Sequence, residues 1–295
     1  MGCLVFDWTI RPVDTTLIKT SWGEVDPLTD LAVALVLGSV LLHVAWNAAA
    51  RQASGDLRFM WLMTLSAGIF GVLVANRAIL TINWGVAWPY LVGTSSIHAI
   101  YFVSLGRSYR HAELSWAYST ARGLGLLLTS VGAYIVWHQN LNAIAWIGIM
   151  IVATGVILLG WQQQAKKLSS IGTVALMIAG YSLVDSHAMS LVNPIPYVAV
   201  LFLGAGLLMS PVAIGATAPV NHRAATISGL GSMASYTLML MAYRLGPVAP
   251  LLALRQWAPG IAAVWGIFRL RERGSWKTWS GIAMTLTGGI LAVWR

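Results

Sequence analysis

Three fully charged side chains fall inside long apolar runs of this chain: Arg122, Asp185 and Arg255. At the centre of a membrane helix each costs roughly 2.5–3.5 kcal/mol on insertion scales, so each needs a partner or a task. A carboxylate can neutralise a guanidinium, and a guanidinium without such a partner can hold a ligand carboxylate or phosphate in a bidentate fork. His43, Asn47, His98, Tyr101, Tyr118, Tyr181, His187 and Tyr236 form a weaker polar group in the same runs. No His, Cys and carboxylate spacing points to a metal, and no P-loop, nucleophile elbow or Gly-rich nucleotide loop is present. Catalytic residues, metal and cofactor are therefore all expected to be none.

The elements that must position these residues are read from the apolar runs. The chain is 58% hydrophobic and only 9% charged, with a mean hydropathy of +0.73, a surface that no water-soluble domain of 295 residues carries. A helix needs about 20 apolar residues to cross roughly 30 Å of hydrocarbon. Ten runs meet that length: about 31–50, 59–76, 85–106, 112–136, 143–161, 171–190, 196–216, 224–243, 248–268 and 277–294. Residues 1–30 read as a polar N-terminal tail, and 162–170 as the linker between two sets of five. Cys3, beside Gly2, lacks the following Ser or Thr of an acylation signal, and as the single cysteine it excludes a disulfide framework. The basic residues are scattered singly through short connections, which fits loops at a lipid bilayer and not a nucleic-acid partner.

The two sets of five share a pattern. Ser-Tyr-Arg at 108–110, Arg122 and Trp146-x-Gly148 followed by Thr154-Gly155 recur as Ala-Tyr-Arg at 242–244, Arg255 and Trp279-x-Gly281 followed by Thr287-Gly288. The offset is 134 residues at Tyr109/Tyr243 and 133 from Arg122/Arg255 onward. Five crossings per copy is an odd number, so the second copy enters the membrane from the opposite side. The expected fold is thus an all-α integral membrane protein of ten transmembrane helices, two inverted five-helix repeats (31–161 and 171–295) around a central cavity. The excess of Lys and Arg on the side away from the termini places the termini outside the cytoplasm. Tryptophans near the run ends fit an interfacial belt, and paired glycines fit close helix seams.

At 1.5 Å rise per residue, Asp185 and Arg255 lie roughly 8 and 10 Å from the same membrane face, so they are expected to form an intramembrane ion pair. Laying His43-Val-Ala-Trp-Asn47 on Tyr181-Ser-Leu-Val-Asp185 puts Asn47 at the position of Asp185. Asn47 offers Arg122 an amide oxygen and no charge. Arg122 is then the expected anion contact of a small-molecule substrate, with Tyr118 one turn earlier and His43, Trp46 and Asn47 opposite; His98, Tyr101 and Tyr181 complete the expected substrate site. Arg122 bonded to backbone at a kink is the competing reading. A buried Asp185, or a histidine, could exchange protons, so proton coupling stands beside counter-substrate exchange.

These residues carry a family resemblance. Leu42-His43-Val44-Ala45-Trp46-Asn47, His98-Ala99-Ile100-Tyr101-Phe102, Tyr109-Arg110, Leu114-Ser115, Tyr118, Ala121-Arg122-Gly123 and Tyr181-Ser182-Leu183-Val184-Asp185 resemble the ten-helix drug/metabolite transporter superfamily, in particular its EamA-type members. The resemblance spans 31–295. It implies a basket-like bundle whose cavity is lined by helices one, three, four, six, eight and nine and opens alternately to either side. It implies export or exchange of small metabolites such as amino acids, sugars or amphiphilic compounds, across the cell (inner) membrane of a bacterium. It also implies cytoplasmic termini, against the charge distribution. One departure is local: a Gly-Glu pair expected after helix four reads Trp137-His138-Gln139, while Glu272 is kept between Arg271 and Arg273. A membrane-embedded enzyme or lipid-handling protein is the alternative, and it requires a nucleophile and base within hydrogen-bond reach.

Overall fold

A computed structural model describes residues 29–52, 57–109, 114–160, 168–215, 220–269, 271 and 274–294. The polar tail, Cys3, most of the expected linker, Arg110 and Glu272 lie outside the described residues, as does the side chain of Tyr118. Eleven α-helices follow in order: α1 Asp30–Gln52, α2 Leu57–Ala75, α3 Trp84–Tyr109, α4 Leu114–Trp137, α5 Ala143–Gly160, α6 Leu168–Ala188, α7 Pro194–Ala213, α8 His222–Tyr243, α9 Val248–Arg255, α10 Trp257–Arg269 and α11 Trp276–Val293. A short 3₁₀ turn, Asn76–Thr81, follows α2. There is no strand among the described residues.

Helix starts are set by side chains that accept the orphan N–H groups of a first turn. Asn142 Oδ1 accepts from the Ala145 N–H (2.7 Å), Asn193 from Ile195 (3.1 Å), Asn221 from Ala224 (3.0 Å) and Ser275 Oγ from Thr278 (3.2 Å). Pro194, with no N–H to satisfy, opens α7.

Among the described residues, six helical stretches are long and apolar enough to cross a membrane: Asp30–Ala48, Leu57–Thr81, Ser119–Trp137, Ala143–Gly160, Pro194–Ala213 and Val248–Phe268. The others, α3, α6, α8 and α11, have 26, 21, 22 and 18 residues but more polar side chains. Three of these four carry residues of the cavity described below, which is where polarity is tolerated in a membrane bundle.

The run expected as one helix over 248–268 is broken. Pro259 has no N–H to give the carbonyl of Arg255, four residues back, so the helical ladder cannot run through. The chain turns at Gln256, whose own N–H bonds Ala253 (3.0 Å), and resumes as α10. In the first copy Leu126 stands where the second has Pro259, and α4 is continuous.

Helix seams use small residues. A Cβ on Gly148 would stand 2.7 Å from the Gly288 carbonyl oxygen, and one on Gly288 2.8 Å from that of Gly148; Gly155 and Gly281 meet in the same reciprocal way (2.9 and 2.8 Å). The two helices α5 and α11 therefore touch backbone to backbone. Elsewhere α2 packs on α7, where Trp61 Nε1 donates to Ser210 Oγ (3.0 Å). α1 packs on α8, where Ser235 Oγ donates to the Ser39 carbonyl (2.8 Å). The bundle also pairs α3 with α6 and α7, α4 with α5, α6 and α9, and α1 with α9 and α10.

Candidate functional site

Inside the bundle the polar residues converge on one cavity. Its wall takes His43 and Trp46 from α1, His98, Tyr101 and Phe102 from α3, Arg122 from α4, Ile178 and Tyr181 from α6, and Phe202 from α7. Ser232 and Tyr236 of α8, Leu252 and Arg255 of α9, and Gln256 at the break close it. Water-sized spheres can centre over about 30 Å³ of it, room for a few waters. In this conformation the chamber is contracted, and a metabolite needs side chains to move.

One wall is aromatic. His98 lies 4.6 Å from Tyr181 and 5.1 Å from Tyr236, ring centre to ring centre, and Tyr101 and Phe102 continue the cluster toward Phe202. The Nδ1 of His98 is fixed by the carbonyl and hydroxyl of Thr94, one turn earlier (3.0 and 3.1 Å). Such rings offer a large contact area with little rotamer freedom to lose.

The opposite wall is cationic. Arg122 donates from Nε to Gln256 Oε1 (2.9 Å) and from Nη1 to His43 Nε2 (3.2 Å). A guanidinium can only donate, so His43 Nε2 accepts and the neutral ring carries its hydrogen on Nδ1. That buried Nδ1 has no hydrogen-bond partner among the described residues, and neither has the buried Nε1 of neighbouring Trp46. Arg255 extends over the ring of Tyr236, 5.5 Å from its centre, a cation–π arrangement. No Asp or Glu is among the described residues that line the cavity.

The structure gives Asp185 partners other than Arg255. Its Oδ1 accepts the Tyr197 hydroxyl (2.7 Å) and its Oδ2 a short bond from the Tyr236 hydroxyl. Level placement along the membrane normal was sufficient for an ion pair in depth but not in direction: Tyr236 stands between the two charges, bonded to Asp185 by its hydroxyl and facing Arg255 with its ring. Asp185 thus fastens α6 to α7 and α8, wholly buried behind the cavity wall.

Asn47 likewise differs from its expected place. Its amide N–H donates to the His43 carbonyl of its own helix (2.8 Å), and the amide oxygen that Arg122 meets is that of Gln256. Of the expected substrate residues, His43, Trp46, His98, Tyr101, Arg122 and Tyr181 line the cavity, Asn47 does not, and the Tyr118 side chain lies outside those described. His187 is outside the cavity and stacks on Trp137 (4.2 Å, 8° between planes). Sequence reasoning passed over Gln256, Ser232 and Phe202. Gln256 carried a signal, an uncharged polar residue beside Arg255 and three before a proline in an apolar run; Phe202 carried none. Gln139, where the resemblance expects Glu, accepts the Val248 N–H with its side-chain oxygen (3.2 Å) and so caps α9 from the other half of the chain.

Helices paired around a polar, contracted chamber define a multi-pass integral membrane protein. Residues 168–294, its second half, match the EamA-like transporter family. Over 65 residues the chain is 37% identical to "Multidrug resistance protein EbrA" of Bacillus atrophaeus, a match covering 22% of this chain and 62% of that one. It is 39% identical over 72 residues to "Quaternary ammonium compound-resistance protein QacG" of Staphylococcus sp. (strain ST94), covering 24% and 66%. It is 31% identical over 58 residues to "Spermidine export protein MdtI" of Yersinia enterocolitica serotype O:8 / biotype 1B (strain NCTC 13174 / 8081), covering 20% and 53%. The chain thus spans between about half and two thirds of the length of these curated relatives. A solved crystal structure shares the fold, with a TM-score of 0.70 at 18% identity over 88% of this chain and 96% of that one. The matched family is described as one of transporters and the spermidine relative as an export protein, while the other two relatives are described by resistance.

Proposed function

We propose that the protein is a secondary transporter that moves a small organic metabolite bearing an anionic group by alternating access, as an exporter or exchanger in a bacterial cell membrane. The observation that carries this reading is the cavity: two guanidiniums and an aromatic wall, contributed by both halves of a bundle, with no carboxylate among the described residues that line it. The names of the relatives favour outward movement of small molecules. The cationic wall favours a substrate opposite in charge to a quaternary ammonium ion or spermidine.

Two inverted repeats are part of the proposal. Exchanging each of the first five spans for its counterpart, with α9 and α10 as one span, preserves the most extensive packings: α5 with α11 and α2 with α7 map to themselves, α1 with α8 maps to α3 with α6, and α4 with α6 maps to α1 with α9. At the α5/α11 seam, Gly148 meets Gly288 and Gly155 meets Gly281. By the 133-residue offset Gly281 is the counterpart of Gly148 and Gly288 of Gly155. Each therefore touches the counterpart of the other, the signature of a two-fold interface. The cavity repeats too: the 134-residue offset takes His98 to Ser232 and Phe102 to Tyr236, and all four line it with Arg122 and Arg255. Alternating access is then a rocking of one half against the other around a fixed site.

The test is uptake and efflux in proteoliposomes against a panel of amino acids, organic acids and organic cations, with and without a pH gradient. Movement of organic anions, lowered roughly 10- to 100-fold in Arg122→Gln, supports the reading. Movement of cations alone ends the anion assignment, and dependence on the pH gradient decides between proton coupling and exchange.

A further inference from the structure

The end of the bundle at which α4 and α6 finish and α9 begins carries contacts between the two halves that the cavity does not use. We infer that the turn Trp137-His138-Gln139 is a latch that closes the chamber toward this end and must release before the chamber opens there. The inference rests on alternating access as proposed above, and makes no use of the charge of the substrate.

The turn is shaped by His138. α4 ends at Trp137, and His138 takes a φ of 52°, the left-handed conformation that commonly stops a helix. With the chain turned in this way, the Gln139 N–H bonds the Ala133 carbonyl (3.1 Å) and the Gln139 side-chain oxygen accepts the Val248 N–H (3.2 Å). Val248 opens α9, and the residue before it, Pro247, has no side-chain acceptor to offer the first turn. The first half of the chain therefore caps a helix of the second. Beside this cap the Trp137 ring stacks on His187, in the last turn of α6, at 4.2 Å and 8° from parallel. Tyr90 of α3 stands 5.7 Å from the same imidazole.

These ties lie to one side of the cavity. His187 is six residues beyond Tyr181 on α6, and Val248 is seven before Arg255 on α9. At about 1.5 Å per residue, both stand roughly 10 Å from the cavity wall along their helix axes. α9 is only eight residues long and is held to the first half at both ends, by Gln139 at Val248 and by Arg122 at Gln256, which follows it. Releasing Gln139 leaves the segment attached at its deeper end alone, next to the break at Pro259 about which it can swing.

Each tie is of a kind that lets go. The cap is one hydrogen bond to a neutral amide, the stack is a contact of two ring faces, and His138 holds a φ that its Cβ disfavours. A glycine at 138 would remove that strain, and a carboxylate at 139 would cap α9 with charge assistance. The turn is weaker than the same turn built to be permanent.

The test reads access to the chamber and needs no substrate. Ser232 lines the cavity and is 5% exposed, so full-length Cys3→Ser/Ser232→Cys protein carries one thiol, inside the chamber. Its reaction with a membrane-impermeant maleimide is timed in right-side-out and in inside-out vesicles. In this background Gln139→Ala and Trp137→Leu should each speed labelling about three- to tenfold from one side of the membrane and not from the other. His138→Gly and Gln139→Glu should slow labelling from that same side about threefold, with no loss of thermal stability. These two strengthening variants remove no contact, so they decide the matter even where a weakening variant fails to fold. Rates that change equally from both sides, rates unchanged in every variant, or a thiol unreactive from either side throughout would each overturn the latch. Any of these leaves the anion assignment standing, whereas movement of cations alone in the flux panel ends that assignment and leaves the latch intact.

Discussion

Arg122 and Arg255 occupy corresponding positions in the two halves, yet they are embedded in opposite ways. Arg122 lies in an unbroken helix and is tied across the halves to Gln256 and to His43. Arg255 ends a helix, and its guanidinium rests on an aromatic ring. The same side chain at the same position has become a structural tie in one copy and an available cation in the other. What separates them is the backbone after the arginine: Leu126 lets α4 continue, and Pro259 breaks the ninth span and turns Gln256 inward. On the proposed repeat, the two halves carry the same residue and one proline separates its settings.

The largest effects should come from removing either arginine, and they should differ in kind. Each removal is expected to lower transport roughly 10- to 100-fold, the loss of one charge-assisted hydrogen bond of about 1.5–3 kcal/mol to the anion. Arg122→Met should also destabilise the fold by a similar amount, because Gln256 and His43 lose their donor. Arg255→Met should leave stability within about 1 kcal/mol, since a modest cation–π contact is exchanged for relief from burying a cation. Thermal unfolding in detergent together with initial uptake rates checks both. Equal unfolding temperatures for the two variants would erase the contrast.

Next in size is Asp185→Asn. The carboxylate receives two phenols that hold α6, α7 and α8 together, and an amide can accept only one of them on its oxygen. About 2 kcal/mol of stability should be lost. Substrate affinity should stay within about threefold of the parent by the same reckoning, because Asp185 is behind the wall and not in it. A large loss of affinity at unchanged stability would make Asp185 a cavity group after all.

Much of the fold was legible because membrane helices announce themselves by length. Runs read as 31–50, 59–76 and 143–161 are helices over 30–52, 57–75 and 143–160. Six cavity residues, from His43 to Tyr181, were legible because polar side chains are costly in apolar runs and so stand out. The partners of Asp185 were not. Tyr197 and Tyr236 reach it from two other helices, and depth along a helix axis carries no information about rotation around it. Phe202 was invisible for the opposite reason: an aromatic in an apolar run looks the same whether it faces lipid, core or cavity. Gln256 could be seen as polar, but its direction depends on the break, which follows from Pro259 only once the missing N–H is traced back to Arg255.

The seam between repeats gives a smaller and purely steric test. Gly148→Ala places a methyl group 2.7 Å from the Gly288 carbonyl oxygen and should cost about 1–2 kcal/mol through overpacking. Gly93→Ala meets nothing within 4 Å and should be neutral or slightly stabilising through helix propensity. If both behave alike in thermal unfolding, α5 and α11 do not meet backbone to backbone.

The smallest effect should come from Pro259→Ala, and it bears most directly on what separates the two arginines. Alanine restores the N–H that the Arg255 carbonyl lacks, so α9 and α10 can join into one helix as α4 does. Stability should then hold or rise slightly, because a helix-breaking residue has gone. Joining the segments rotates Gln256 into the helical register and draws its side chain away from Arg122 Nε, so that a ligand no longer competes with the Gln256 amide there. A substrate anion should therefore bind about two- to threefold more tightly, about half a kcal/mol, while turnover falls because the tie between the halves no longer re-forms after release. Tighter binding with slower transport, in a protein that unfolds no earlier, is the expected result. Unchanged binding and turnover would mean that the break is tolerated and not used, and that the difference between Arg122 and Arg255 arises from their neighbours alone.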